Sequence, residues 1–233
     1  MKTVARNMGI SALILAGFAI LGTGLVAVTH TGTRDRIVAA QRAALEASLN
    51  ALVPAGRYDN RVTEDRLDVV APEWLGTAQP VPFYRARQAG QPVALFATPV
   101  APDGYSGSIQ LLIGVYADGT LAGVRVLAHR ETPGLGDAIE ERRSPWILSF
   151  NGKSLANPPP ERWKVKKDVG VFDQFTGATV TPRAVVRAVR RFLEYVQIHH
   201  ERLFAPPATT APESGPTSDS VDSIEPRKRG GSP

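Results

Sequence analysis

A run of 21 residues near the N-terminus, Met8 to Val28 (MGISALILAGFAILGTGLVAV), has no charged side chain, and it limits every fold open to this chain. As a helix rising ~1.5 Å per residue it reaches ~31 Å, the thickness of a bilayer's hydrocarbon core. We therefore expect a transmembrane helix over 8–28. A cleavable signal peptide is the competing reading, but its apolar stretch usually runs to about 7–15 residues, and no clean small-residue cleavage site follows here. Lys2 and Arg6 precede the run while Arg34, Arg36 and Arg42 follow it, so basic-residue counting does not favour a cytoplasmic N-terminus. A long domain translocates despite such flanks, and the absence of cysteine suits an oxidising compartment. The expectation is a short cytoplasmic N-terminus over 1–7 and an outward-facing domain.

The chain has 233 residues, 43% of them apolar, enough for one medium domain with appendages. Its formal net charge of +5 is spread along the sequence without interleaved aromatics, which argues against nucleic acid as a partner. With no cysteine, the chain holds no disulfide, no thiolate nucleophile and no cysteine-ligated zinc or iron–sulfur site. Four histidines (His30, His129, His199 and His200) lack metal-ligand spacing, so no metal is expected. Redox chemistry in such a chain must reside on an organic cofactor.

Apolar residues recur at intervals near three and four from Thr33 to Leu52, which predicts a stalk helix within 29–56, stopped by Pro54 and Gly56. Short apolar or alternating runs then predict strands at Arg66–Val70, Val81–Arg87, Pro92–Thr98, Ile109–Tyr116 and Leu121–Ala128. Asp118-Gly119 between the last two signals a hairpin, since Gly takes positive φ cheaply. Asp137–Arg143 reads as helical and Trp163–Lys167 as strand-like. Thr181-Pro182 reads as an N-cap and first helical residue, opening an amphipathic helix with Val185, Val186, Val189, Phe192, Leu193 and Val196 on one face. The fold class is α+β: an N-terminal transmembrane helix, then one domain over 57–204 with an antiparallel sheet packed against helices. The Pro-, Ser- and Thr-rich segment 205–233 reads as a disordered tail.

Just before that last helix stands Asp173-Gln174-Phe175-Thr176-Gly177-Ala178-Thr179. Gly177 and Ala178 leave little bulk beside Thr179, so a large group has access to its hydroxyl. A helix N-terminus presents unpaired N–H groups and the positive end of the backbone dipole, which favours a phosphate. On these residues alone, a tight turn feeding a capped helix is the preferred reading. Glu131-Thr132-Pro133-Gly134-Leu135-Gly136 is equally consistent with a plain strand-to-helix loop and with one whose glycines permit close backbone approach.

Taken together, DQFTGATVTPRAVV, the preceding WKVKKD and the upstream HRETPGLGDAI resemble the G subunit of the Rnf (Rsx) electron-transport complex, over nearly the whole chain except the tail. The pattern D-x-x-[ST]-G-A-T, met by Asp173, Thr176, Gly177, Ala178 and Thr179, is similar to the recognition motif of a flavin transferase. What the resemblance implies is one FMN per chain, taken from flavin adenine dinucleotide and joined through its phosphate to the Thr179 hydroxyl. It further implies that Glu131, Thr132, Leu135 and Gly136 lie near the isoalloxazine ring. A carboxylate at Glu131 close to the ring would lower the flavin potential, a role that an unchanged potential in Glu131→Gln would exclude. Of Lys164, Lys166 and Lys167, Lys167 best matches a lysine of related sodium-pumping quinone reductases. Gly104-Tyr105-Ser106-Gly107 is likewise similar to the family. Implied partners are the other subunits of the complex, the transferase and membrane lipid. The implied location is a bacterial inner membrane, single-pass, with the flavin domain on the periplasmic side.

The implied function is a flavoprotein electron carrier in a complex that couples electron transfer between ferredoxin and NAD to ion translocation. Thr179 would be a tether, and no residue of the chain a catalytic acid, base or nucleophile. Two alternatives stand beside it: the related C subunit of the sodium-pumping quinone reductase, and a membrane-tethered interaction module without cofactor.

Overall fold

One helix, α1 (Lys2–Leu52, 51 residues), takes up both the apolar segment 8–28 and the predicted stalk without a break. The computed structural model describes residues 2–206, leaving some side chains of α1 outside the description; the predicted tail falls almost wholly beyond it. Among the described residues no helix is long and apolar enough to cross a membrane. Within 8–28 the described side chains are those of 9–10 and 12–27. Ile10, Leu13, Ile14, Leu15, Phe18, Ile20, Leu21, Leu25 and Val26 are each more than half exposed. Successive helical residues point about 100° apart, so Leu13, Ile14 and Leu15 carry apolar surface around the helix rather than along one stripe.

The opposite end of α1 is seated. Leu49, Leu52 and Val53 are buried against one face of a six-stranded sheet, with Tyr84, Ala86, Ala94, Phe96 and Leu112. Burial of a leucine contributes about 1.5–3 kcal/mol, so Leu49 and Leu52 suffice to fix the helix end. Leu52 lies over Gly114 and Gly123: a Cβ built at either would stand within 3.3 Å of its methyls.

The strands are β1 (Arg66–Val69), β2 (Val81–Gln88), β3 (Gln91–Ala97), β4 (Val100–Ala101), β5 (Ile109–Tyr116) and β6 (Leu121–Ala128), antiparallel throughout. β5 takes β3 and then β4 along one edge and β6 along the other. Alternate residues serve two cores. Phe83, Leu95, Leu111 and Ile113 face a helix-covered core, while Tyr84, Phe96 and Leu112 face α1. Burial on both faces explains why these strands read as nearly continuous apolar runs. The β5–β6 connection turns at Asp118-Gly119 as expected: Gly119 has φ +83° and Thr120 N–H donates to Asp118 Oδ1 at 2.8 Å.

The helix-covered core is closed by α3 (Val180–Ile198), with the short α2 (Pro72–Leu75) and α4 (His200–Phe204) beside it. Val185, Val186, Val189, Phe192, Leu193 and Val196 all point inward, as the periodicity predicts. At the other end of this layer Arg85 and Arg87 share the Asp65 carboxylate, and both donate to the Ala205 carbonyl, pinning the end of α4.

Two expectations fail. Asp137–Arg143 is not an α-helix; a single 3-10 turn, Gly136–Ile139, ends at extended Glu140. The segment is too short to propagate a helix, and its Asp137 is drawn inward to pair with Arg143. Trp163–Lys167 is not a strand: 3-10 turns at Pro160–Arg162 and Lys166–Asp168 flank one isolated bridge, Val165 to Phe172. The chain doubles back too tightly there for a ladder, and the reversal puts Val169 at φ +62°, ψ +28°.

A β-branched residue in the left-handed region is strained by about 1–2 kcal/mol. Val169 is 74% exposed, so its side chain gains little packing in return. Val169→Gly is expected to raise stability by about 1 kcal/mol, after the extra freedom of glycine in the unfolded chain is subtracted. Urea unfolding of the two chains checks it.

Candidate functional site

The segment leading to Thr179 is held from below by aromatic packing. Phe150 and Phe172 stack with centroids 4.5 Å apart, Trp163 lies 5.2 Å from Phe172, and Trp146 meets Phe150 and Phe175 edge-on at 5.4 and 5.1 Å. Trp146 Nε1–H donates to the Asp173 carbonyl at 2.8 Å, which pins the chain where it leaves the core. A tight turn follows, closed by Ala178 N–H to the Phe175 carbonyl at 3.2 Å. Gly177 occupies its third position at φ +81°, as a type II turn requires. Nothing but Leu135 lies near its Cα side, so glycine is needed here for its φ rather than for space.

Thr179 itself occupies the N-cap of α3, and its side chain makes no cap hydrogen bond. This corrects the expectation that Thr181 caps the helix with Pro182 first in it. The helix begins at Val180, and Pro182 falls within the first turn, where a missing N–H is harmless. Thr181 is fully buried and its hydroxyl donates to Glu131 Oε2. That partner is 50 residues away in sequence, which is why capping rules missed it.

Glu131 is 4% exposed and faces the interior: Oε1 accepts Ser106 N–H at 3.0 Å and Oε2 accepts the Thr181 hydroxyl. The loop after it turns on the Thr132 carbonyl, which accepts N–H from Leu135 and Gly136, both at 3.1 Å. Leu135 is 45% exposed, and its Cδ2 lies 3.6 Å from where a Cβ on Gly177 would stand. The two loops singled out in the sequence therefore meet at the 175–178 turn. Gly136 is buried against Glu131 and Thr181, so its missing side chain makes room for them. Thr132 and Thr176 are exposed, and Ala178 is half-buried.

Among the lysines it is Lys166 that pairs with exposed Asp173, at 2.6 Å; Lys167 is exposed, and its backbone N–H meets Gln174 Oε1 at 3.2 Å. Asp168 accepts two bonds of 2.6 Å from Arg183, one turn into α3. The aromatic support under 172–175 and the Thr181 contact were missed by sequence reasoning; the density of Trp and Phe from 146 to 175 was the available signal.

Behind Glu131, its own N–H donates to His129 Nδ1 at 3.0 Å, while His129 Nε2 meets Glu140 Oε1 at 2.7 Å. Hydrogen bonds from Arg142 and then His129 hold Glu140 at about 2, below its usual 4.5. The Arg183 hydrogen bonds lower Asp168 in the same direction. A carboxyl depressed by folding stabilises fully above its unfolded value and loses that stabilisation as pH falls through the folded one. The urea midpoint is therefore expected to fall between about pH 5 and 2, and less steeply in Glu140→Gln, as unfolding curves at stepped pH will report.

The arrangement suits a phosphorylated cofactor: a hydroxyl unspent on capping, at the positive end of a 19-residue helix, beside an exposed turn and the exposed apolar Leu135. Comparison with known proteins agrees. Residues 104–194 match the FMN-binding domain family and residues 1–52 the RnfG N-terminal region. The G subunit of the ion-translocating oxidoreductase complex of Pseudomonas aeruginosa is 54% identical over 201 residues, covering 86% of this chain and 94% of its own length. This chain belongs to that family of G subunits. The G subunit from Vibrio atlanticus is 49% identical over 195 residues (84% and 93% of the two chains), and that from Vibrio cholerae is 47% identical over 207 (89% and 97%). The FMN-binding match begins at Gly104 and ends in α3, so it encloses the 104–107 loop, Glu131, the 175–178 turn and Thr179. The N-terminal match ends where α1 does.

Proposed function

We propose that this member of the family is a membrane-anchored flavoprotein electron carrier in an Rnf-type complex, with one FMN joined by a phosphoester to Thr179. The complex couples electron transfer between ferredoxin and NAD to ion movement. The observation that carries the reading is Thr179 at the N-cap of α3 with no cap hydrogen bond, at the end of the D-x-x-T-G-A-T turn.

When bound, FMN supplies reversible electron transfer. The chain's residues hold it. Thr179 is the tether, and the first turn of α3 offers its unpaired N–H groups to the phosphate. Gly177 shapes the turn, Ala178 keeps the hydroxyl uncrowded, and Asp173 and Thr176 complete the surface read by the transferase. Leu135 and the Thr132–Gly136 loop give the ring an apolar flank, and Lys167 offers a cation nearby. The apolar surface all around α1 between Ile10 and Val26 supports anchoring over 8–28 as a single pass of the inner membrane. The absence of cysteine, which suits an oxidising compartment, favours the periplasmic side for the domain.

The test is co-expression with a flavin transferase, fractionation, and a denaturing gel viewed under ultraviolet light. A fluorescent band in the membrane fraction is the expected result. A full-length band without fluorescence, from cells in which the transferase is active, overturns the carrier and leaves the cofactor-free interaction module.

A further inference from the structure

Glu131 is a buried carboxylate whose oxygens are taken up by a backbone N–H and a hydroxyl rather than by a cation. Each bond comes from a different segment. Ser106 belongs to the loop before β5, Thr181 to the first turn of α3, and Glu131 itself to the loop after β6. Gly136 makes room for this side chain, since a Cβ there would stand 2.8 Å from Oε2; at Gly104 a Cβ would meet first the Gly107 carbonyl, at 2.1 Å, and then Glu131 Oε1, at 2.9 Å. The backbone of Glu131 is held as well, through its N–H to His129 Nδ1. Both carboxylate oxygens and the backbone N–H of the residue are thus fixed, and Thr181 is only two positions from Thr179.

Resting on the reading that Thr179 carries flavin, we infer that Glu131 is the positioning residue for the attachment reaction. Its clamp on Thr181 holds the first turn of α3, and so presents the Thr179 hydroxyl to the transferase. In that reaction Thr179 Oγ1 bonds to the FMN-side phosphorus of flavin adenine dinucleotide, and the bond from that phosphorus to the bridging oxygen breaks. AMP leaves with that oxygen, the hydroxyl proton is released, and nothing is oxidised or reduced. The geometry of the hydroxyl matters because the reacting oxygen must be brought in line with the leaving group.

The clamp works through hydrogen bonds, so it distinguishes substitutions that a purely charged role would not. In Glu131→Gln the amide oxygen still accepts from Ser106, and the amide nitrogen donates to the Thr181 oxygen, whose hydroxyl turns away. Glu131→Leu removes both bonds. Thr181→Val keeps the shape of threonine and removes only the donor, whereas Thr181→Ser restores it.

The experiment uses the purified full-length chain in detergent, purified transferase and flavin adenine dinucleotide. It follows flavin fluorescence that survives denaturation, as initial rates over a range of acceptor concentrations, with thermal unfolding of each variant alongside. Thr181→Val and Glu131→Leu are expected to lower kcat/KM by about tenfold to a hundredfold, with Glu131→Gln and Thr181→Ser within about threefold of the unsubstituted chain. Should Glu131→Leu not fold, Thr181→Val carries the comparison. Folded Thr181→Val loading at the unsubstituted rate overturns the clamp. So does Glu131→Gln loading as slowly as Thr181→Val, since negative charge would then be what matters. An unsubstituted chain that takes up no flavin is a different result and defeats the attachment reading itself.

Discussion

Thr179→Ala is expected to yield a folded chain with no covalent flavin. The substitution removes the oxygen to which the phosphate would be joined, so the loss should be complete rather than partial. Stability should hardly change. Replacing a capping threonine by alanine costs about 0.5–2 kcal/mol when its oxygen accepts a helix N–H, but the Thr179 side chain makes no such bond, so the low end applies. A thermal melt beside the fluorescent gel therefore separates loss of the acceptor from loss of the fold. Thr176→Ala removes an exposed hydroxyl three residues earlier that belongs to the surface read by the transferase but leaves the acceptor in place, so loading should slow while the flavin that is loaded still maps to Thr179. Flavin mapped by peptide mass to Thr176 or Thr181 would show that the wrong hydroxyl has been assigned.

Gly170→Ala is expected to be the most destabilising single-methyl change near the site. Gly170 is buried with its Cα against the backbone of Lys164: a Cβ there would overlap the Lys164 carbonyl and stand 2.6 Å from its Cα. Backbone cannot swing aside as a flexible side chain does. That carbonyl accepts Phe172 N–H at 3.2 Å, and Gly170 N–H donates to the Val165 carbonyl at 3.0 Å, so relieving the overlap breaks the reversal that carries Phe172 under the 175–178 turn. We expect a loss of about 3 kcal/mol, or roughly 6–12 °C in Tm, and slower flavin loading. A melting temperature within about 2 °C of the unsubstituted chain would show that the loop accommodates the methyl. Its neighbour supplies the contrast, since Val169→Gly acts at the adjacent residue with the opposite sign.

The strands were legible because each is an apolar run bounded by Gly, Pro or Asp, and five predicted ranges fall within a residue or so of β1, β2, β3, β5 and β6. Two-residue β4 gave no pattern to read. The inward face of α3 was legible for the same local reason. What escaped were features decided by distant partners. Thr181 looks like a cap because Thr-Pro so often begins a helix, yet its hydroxyl answers to Glu131 across 50 residues. Trp163–Lys167 has strand-like alternation, but the space left by the folded-back 168–172 segment allows only one bridge. Gly136 was read as backbone freedom toward a ring, whereas the volume it vacates is filled by Glu131 and Thr181. In each case the local signal was real and a contact with another segment of the chain overrode it.

The unbroken course of α1 ties the bearing of the domain to the phase of a screw. Leu49, Leu52 and Val53 lock the end of the helix onto the sheet, so the domain turns with the helix about its axis. Were the chain anchored over 8–28 as proposed, roughly 30 Å of stalk would separate the bilayer from that junction. One residue added to it would lift the domain by only ~1.5 Å but swing its compass direction by ~100°. In an anchored chain, stalk length would therefore govern chiefly the direction in which the Thr179 end faces.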